Sequence, residues 1–327
     1  MKKKMVTKIK VGVVGAGHLG RIHLDLLNQS DLYELMGFYD TNKNYSLKIA
    51  SEFGYKYYNS IDDLIASCEM LDIVTPTKSH YEIAVKCIEE KKNIFIEKPI
   101  THSYKTAKKL NDILKKNQVY GQVGHVERFN PAFLSVKKNI NRPMFIESHR
   151  LSEFNQRGTD VPVVLDLMIH DIDIILKCVK SKVKEVSGVG VAILSKTPDI
   201  ANARIEFENG SVANLTASRI SLKNMRKTRF FQKDAYISID FLKKKSEIIK
   251  IKNLDSKKGE LALILKNSEG EKKQIYFDSP LIKKTNAILD ELESFALSMK
   301  NKKEPEVTFE QATEALRIAE LIIKSFQ

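Results

Sequence analysis

The segment Val161–Val179 reads VPVVLDLMIHDIDIILKCV, and ionisable residues interrupt it at helical spacing. Asp166, His170 and Asp173 fall at i, i+4 and i+7, one face of an α-helix. Around them stand Val163, Val164, Leu165, Leu167, Met168, Ile169, Ile172, Ile174 and Ile175. An ionisable cluster on so apolar a helix must be paired or used. It is either a satisfied core Asp–His pair or an acid–base site around an imidazole with an ordinary pKa of about 6.5. Zinc is a weak third option, because no cysteine or clear third ligand accompanies the two. A second ionisable group, Glu97-Lys98-Pro99, closes the apolar run Asn93–Ile96. On its own it reads equally well as a surface ion pair.

A third pattern is Gly15-Ala16-Gly17-His18-Leu19-Gly20. It sits between an apolar strand and an amphipathic helix, the context of a dinucleotide loop. Gly15 would make the tight turn, Gly17 would let the backbone approach a pyrophosphate, and Gly20 would let helix and strand pack closely. The helix beginning at His18 and Leu19 then turns its first N–H groups toward the phosphates. Asp40 lies 20 residues past Gly20, at the end of the second strand-like run. A carboxylate there accepts from ribose hydroxyls and repels a 2′-phosphate, so NAD is expected rather than NADP. Lys43 stands close enough to serve a 2′-phosphate and works against that exclusion.

These residues need elements to position them. Short apolar runs at 9–14, 35–39, 71–74, 93–96 and 120–123 alternate with amphipathic stretches at 19–27, 45–53, 81–90 and 104–116. Strands alternating with helices predict a parallel, doubly wound sheet. Ligands of such sheets bind beyond the carboxyl ends of the strands. Thr75-Pro76-Thr77 with His80, and Glu97-Lys98, therefore point to the same crevice as the glycine loop.

After about residue 120 the pattern changes. Helical sequence at 131–139 and a strand at 144–151 precede the helix at 161–179. Strand-like runs follow at 184–194, 201–208, 211–218, 235–241, 247–252, 261–267 and 273–277. Asn209-Gly210 is a strong hairpin signal. Helices at 281–300 and 308–326 close the chain. The class is α/β: a Rossmann domain over 1–125, then a domain over 126–327 with a large, mostly antiparallel open sheet. The last helices are expected to pack back on the first domain.

Composition excludes other classes. The 327 residues carry 54 Lys plus Arg against 41 Asp plus Glu, a net charge of +13. That excess is spread almost evenly, +5 over residues 1–120 and +8 over the rest, and lysines outnumber arginines 44 to 10. Base and phosphate forks favour arginine, so no nucleic-acid partner is expected. Three cysteines (Cys68, Cys87, Cys178) form no framework and no metal pattern. The apolar stretch after the basic first residues is too short for a secretion signal, and no run approaches a membrane span. A cytoplasmic protein without membrane or metal is expected.

Taken together, the glycine loop, Thr75–His80, Glu97-Lys98-Pro99, Asp166–Asp173, Glu291–Phe295 and Thr313–Lys324 make the chain resemble a known family. It is that of the NAD(P)-dependent sugar and cyclitol oxidoreductases, with glucose–fructose oxidoreductase and inositol 2-dehydrogenase. The resemblance spans nearly the whole chain. It implies that Lys98 contacts the reacting hydroxyl and the nicotinamide side of the cofactor, that His170 is the acid/base and Asp166 its neighbour, and that Glu97, Thr75, Pro76 and His80 lie on the cofactor side. It also implies a homodimer or homotetramer through the second sheet. His170 would take the hydroxyl proton, Lys98 would hold the alkoxide, and NAD would take the hydride.

The run Gly124-His125-Val126-Glu127-Arg128-Phe129-Asn130-Pro131 resembles the family branch that oxidises the 3-hydroxyl of UDP-N-acetylglucosamine. The plainer alternative is that Arg128 and Asn130 position the nicotinamide ribose or cap the next helix; Asn130 is also a candidate for the substrate. Asn130, directly before Pro131, is also a good helix cap. Asp173 and the cations Arg150, Arg157, Arg219, Arg226 and Arg229 are candidates for the substrate and its diphosphate. Arg219–Arg229 reads equally as a solvated basic loop. One stretch, Gln156–Pro162, departs from the family by holding a single glycine beside the substrate, which counts against ordinary free sugars; a free sugar or cyclitol dehydrogenase of the same family is the alternative reading. A non-catalytic NAD-binding regulator is a further one, disfavoured by the intact Lys98, Asp166 and His170.

Overall fold

The computed structural model describes residues 7–155, 161–253, 263–266, 270 and 272–326. The chain forms two compact units. One is built from the chain up to Val126 together with Asn286–Arg317, the other from Glu127–Thr285 and the residues from Ile318 onward.

The first unit runs β1 (Ile9–Val14), α1 (His18–Gln29), β2 (Tyr33–Tyr39), α2 (Lys43–Phe53), α3 (Ile61–Ser67), β3 (Met70–Ile73), α4 (Thr77–Glu89), β4 (Asn93–Glu97), α5 (Tyr104–Asn117) and β5 (Gly121–Gly124). The five strands form one sheet in the order β2-β1-β3-β4-β5, parallel throughout. Burial on both faces explains the apolar runs: Val11, Val13, Leu71, Ile73, Ile94 and Ile96 are all fully buried. Side chains cap several helices at their first turn, as Asn42 does for α2 and Ser103 for α5. The sequence reading did not anticipate α3. Ser60 caps it, and Asp62 and Asp63 stand in its first turn, a favourable place for negative charge.

Helix α8 (Ala287–Lys300) belongs to this unit. Its Leu292, Phe295 and Ala296 join the core formed by Val11, Leu24, Leu27, Phe38 and Phe95. The Tyr33 hydroxyl donates to the Leu292 carbonyl at 2.6 Å.

The second unit begins with a 3₁₀ turn and α6 (Pro131–Val136). Asn130 caps α6 by accepting from Ala132 N–H, with Pro131 at the first helical position. Then come β6 (Phe145–Leu151), the Asp/His helix, β7 (Val183–Val191), β8 (Ile200–Phe207), β9 (Val212–Ser218), β10 (Met225–Gln232), β11 (Ala235–Asp240), β12 (Lys245–Asn253), β13 (Leu263–Lys266) and β14 (Lys272–Asp278). They make a nine-stranded sheet, β13-β14-β12-β11-β10-β6-β9-β8-β7. Among the described strands only the β6–β9 pair is parallel. The Asn209-Gly210 hairpin is present, with Gly210 at φ +83°.

One face of this sheet is buried through Ile146, Ala203, Ile205, Leu215, Phe230, Ile237 and Ile248. At the β7 edge, Gly188 and Gly190 leave room for the Phe326 ring; a Cβ on Gly190 would come within 2.5 Å of it. Phe326 follows α9 (Phe309–Lys324).

Two expectations need correction here. Residues 161–179 do not form one α-helix: Val164–Met168 is a π-helical turn, and α7 covers Ile169–Cys178. Arg226 and Arg229 do not lie in a basic loop. They belong to β10, which fills a central place in the sheet between β6 and β11.

Candidate functional site

In the first unit, sheet register brings three strand ends together. Val14 pairs with Ile73, and Ile73 with Ile96, so Gly15, Thr75 and Glu97 leave the sheet side by side. Gly15 has φ +98°, and a Cβ there would lie 2.8 Å from the Val74 carbonyl. A Cβ on Gly20 would strike the Gly15 carbonyl at 2.0 Å, so helix and turn touch through backbone alone. Gly17 is the N-cap of α1 and supplies no side-chain cap, while the space where its Cβ would stand is open. An uncapped helix start behind an open backbone suits a pyrophosphate.

Asp40 is tied to this loop. One of its carboxylate oxygens accepts from Ala16 N–H at 2.8 Å, the other from Asn42 N–H at 2.9 Å. Gly15, Gly17, Tyr39, Asp40, Thr75 and Pro76 line a cavity of about 340 Å³. His18 and Leu19 form the exposed and half-buried start of α1.

His80 is buried on α4. Its Nε2 lies 2.8 Å from the Thr75 carbonyl and its Nδ1 3.0 Å from the Pro99 carbonyl. Burial pushes its pKa down. It therefore links the loops after β3 and β4, and a neutral ring donates to only one of the two carbonyls. Lys98 is half-buried, and its main-chain N–H donates to Glu97 at 3.3 Å. Burial raises the pKa of Glu97.

In the second unit, Asp166 lies in the π turn and His170 in the first turn of α7, both half-buried. Such turns interrupt helices frequently at functional sites. Asp173 does not share their half-open environment. It is buried and takes a two-pronged ion pair from Arg128, at 2.7 and 2.6 Å. The sequence reading placed Arg128 toward the cofactor and Asp173 toward substrate; the structure shows their charged groups engaged with each other.

Asp171, which the sequence reading passed over, forms the matching pair with Arg150 at 2.9 Å on both prongs. The second amino group of Arg150 donates to Glu127, also at 2.9 Å. Burial alone would lower the pKa of Arg150, but Asp171 and Glu127 drive it further up. Arg150 is thus held in the interior and is no surface cation. Arg219 is buried too, donating to the Val161 carbonyl, with Asp199 at 3.9 Å.

Arg226 and Arg229 point to opposite faces of the sheet. Arg226 shares the face of Arg150 and reaches Glu127 at 3.6 Å, with half its side chain exposed. Arg229 lies beside Glu147 on the other face. Arg157 lies outside the described residues. Asn130 caps α6 and donates to Glu127 and the Phe241 carbonyl. Among the described residues no cluster of three or more His, Cys, Asp or Glu could hold a metal ion, and no helix is long and apolar enough to cross a membrane.

Comparison with known proteins accounts for both halves. Residues 9–125 match the oxidoreductase family with an NAD-binding Rossmann fold, and residues 121–236 match the C-terminal domain of the GFO/IDH/MocA proteins. The UDP-N-acetylglucosamine 3-dehydrogenase of Acidithiobacillus ferrooxidans is 34% identical over 72% of this chain and 74% of its own length. The chain belongs to the GFO/IDH/MocA oxidoreductase family. A solved structure of the same A. ferrooxidans protein superposes with a TM-score of 0.87 over 98% of both chains, at 27% identity. The scyllo-inositol 2-dehydrogenase (NAD(+)) of Bacillus subtilis is 28% identical over 66% of this chain and 69% of its own length. The match to the NAD-binding Rossmann fold of this oxidoreductase lies within the first unit.

Proposed function

We propose that this oxidoreductase removes a hydride from the 3-hydroxyl of a UDP-N-acetylhexosamine and passes it to NAD. The likeness to the A. ferrooxidans 3-dehydrogenase, which spans nearly the full length of both chains, carries this reading. Bound NAD supplies the hydride acceptor. The chain does the rest. His170, on its π-interrupted helix, takes the hydroxyl proton, with Asp166 one turn away. Lys98 holds the negative charge that develops on the oxygen. NAD is preferred to NADP, because a 2′-phosphate would face the Asp40 carboxylate at the cavity wall.

Arg226 is assigned to the substrate diphosphate, since it is half exposed on the sheet face that also carries Arg150. The opposite face bears Val189, Val191, Ile251 and Phe277, each more than 40% exposed. It is proposed to meet a second copy of the chain, giving a homodimer or homotetramer.

The test is absorbance at 340 nm with NAD or NADP and either UDP-N-acetylglucosamine or myo-inositol. A glutamate-dependent aminotransferase is added to remove the ketone. NADH formed with the nucleotide sugar and not the cyclitol supports the reading. The reverse preference overturns it.

A further inference from the structure

A buried ionisable chain in the first unit has no part in the chemistry just described. Asp72 stands in the middle of β3 between Leu71 and Ile73, and His23 on the inner side of α1; both side chains are fully buried. His23 Nδ1 lies 2.8 Å from an Asp72 carboxylate oxygen. Its Nε2 lies 3.5 Å from Oε1 of Glu97. The other Glu97 oxygen receives the Lys98 main-chain N–H. The Phe95 ring meets the imidazole edge-on at 6.1 Å, closing its flank.

Burying a carboxylate in the centre of a sheet is costly unless a partner answers it. Asp72 has one such partner, and that partner points onward to the residue beside Lys98. α1 brings His23, β3 brings Asp72, β2 brings Tyr33 near Asp72, and the end of β4 brings Lys98. β5 brings only Gly124, and a Cβ there would lie 2.5 Å from Glu97 Oε1. The carboxylate is thus pressed against bare backbone on one side and an imidazole on the other.

We infer that Asp72, His23 and Glu97 form a buried relay in which His23 acts as a positioning residue for Lys98, holding Glu97 through the charge of an imidazolium whose Nε2 stands 3.5 Å from Oε1. With Nδ1–H given to Asp72, a protonated Nε2 faces the Glu97 carboxylate as an ion pair. That pair holds the Glu97 side chain, and with it the main chain at Lys98. Burial works against a charged His23, yet Asp72 and Glu97 outweigh it and raise the imidazole pKa. The imidazolium therefore keeps its second proton above the ordinary histidine range. The assignment rests on Lys98 serving the reacting oxygen, as proposed above.

Two measurements test it. The first needs neither substrate nor cofactor: long-range ¹H–¹⁵N spectra of the imidazoles in the whole chain between about pH 5 and 9. His23 should keep Nε2 protonated beyond the pH at which an ordinary imidazole, of pKa about 6.5, has lost it. In Glu97→Gln that retention should shrink. Ordinary titration in the wild type, or no change in the variant, overturns the relay.

The second compares wild type with His23→Gln using whichever alcohol reduces NAD. The expected result is kcat lowered about tenfold, as for loss of a group that orients an active residue. The acid limb of its pH profile should move up, with NADH binding little changed. Equal loss at every pH, or loss of NADH binding, would indicate a merely structural histidine. If His23→Gln fails to fold, the Glu97→Gln spectra still decide. If UDP-N-acetylglucosamine is not oxidised at all, the proposed substrate fails while the spectra remain a test of the relay.

Discussion

Each unit buries carboxylates, and the two balance them by different means. In the second unit Arg128 answers Asp173, and Arg150 answers both Asp171 and Glu127. A guanidinium does not deprotonate in proteins, so this charge is fixed and its forked geometry holds α7 rigidly. In the first unit Asp72 and Glu97 share a single imidazole. Its charge depends on a proton, and that proton sits one residue from Lys98. The permanent cluster holds the helix that carries His170 at every pH, whereas the titratable one holds the Lys98 strand end only while the imidazole keeps its proton.

Perturbing each half should separate these roles. The largest effect is expected for Lys98→Ala: turnover lower by about 10³-fold, as for loss of a group that stabilises an oxyanion. NADH fluorescence titration should show binding retained, and wild-type-like turnover would remove Lys98 from the chemistry. Next comes Arg150→Ala, which leaves Asp171 and Glu127 buried without their partner. It should cost about 3–5 kcal/mol of stability by denaturant unfolding. Replacing both members of a pair, Arg128→Met with Asp173→Leu, should cost much less than Arg128→Met alone. Equal losses would mean that the pair is not a unit.

A smaller effect distinguishes the titratable cluster. Glu97 and His23 both have raised pKa values in the folded state. The folded chain then holds more protons than the unfolded one, so stability favours low pH. For His23 the contribution is whole below its unfolded value and fades as pH rises through the higher folded one. Melting curves of wild type and His23→Gln should therefore converge with rising pH above neutrality, and a constant gap would count against the shifted imidazole. The smallest effect is expected on β10. Arg226→Ala should raise KM for the nucleotide sugar several-fold while Arg229→Ala leaves it unchanged; equal effects would place the diphosphate elsewhere.

Much of the first unit was legible because parallel strands buried on both faces must be apolar. The five runs at 9–14, 35–39, 71–74, 93–96 and 120–123 all correspond to strands of its sheet. The seven-residue α3 escaped because it buries only Leu64 and Ile65, too few for a period to show. Strand β10 escaped because three of its first five residues are basic, which imitates a solvated loop. Its alternation of buried Thr228 and Phe230 with Lys227, Arg229 and Phe231 was the signal available.

Spacing put Asp173 on one stripe with Asp166 and His170. Spacing gives angles around an axis, but not what the facing element supplies, and Arg128 arrives from 45 residues upstream. The Asp72 relay did leave a mark in the sequence, a lone carboxylate inside an otherwise apolar strand. Its partner on α1 could only be found once α1 was placed over β3.

The meeting of Phe326 with Gly188 and Gly190 bears on how the protein is handled. β7 is the last strand of its sheet, and its outer hydrogen-bonding edge has no neighbouring strand among the described residues. Two glycines there give neither bulk nor charge to deter a second edge from docking. The aromatic ring near the end of the chain fills that gap, as aromatic residues do for glycines at sheet edges. Phe326→Ala should leave catalysis intact yet uncover the glycine pair, and light scattering on concentrating the variant reads whether the bared strand then associates.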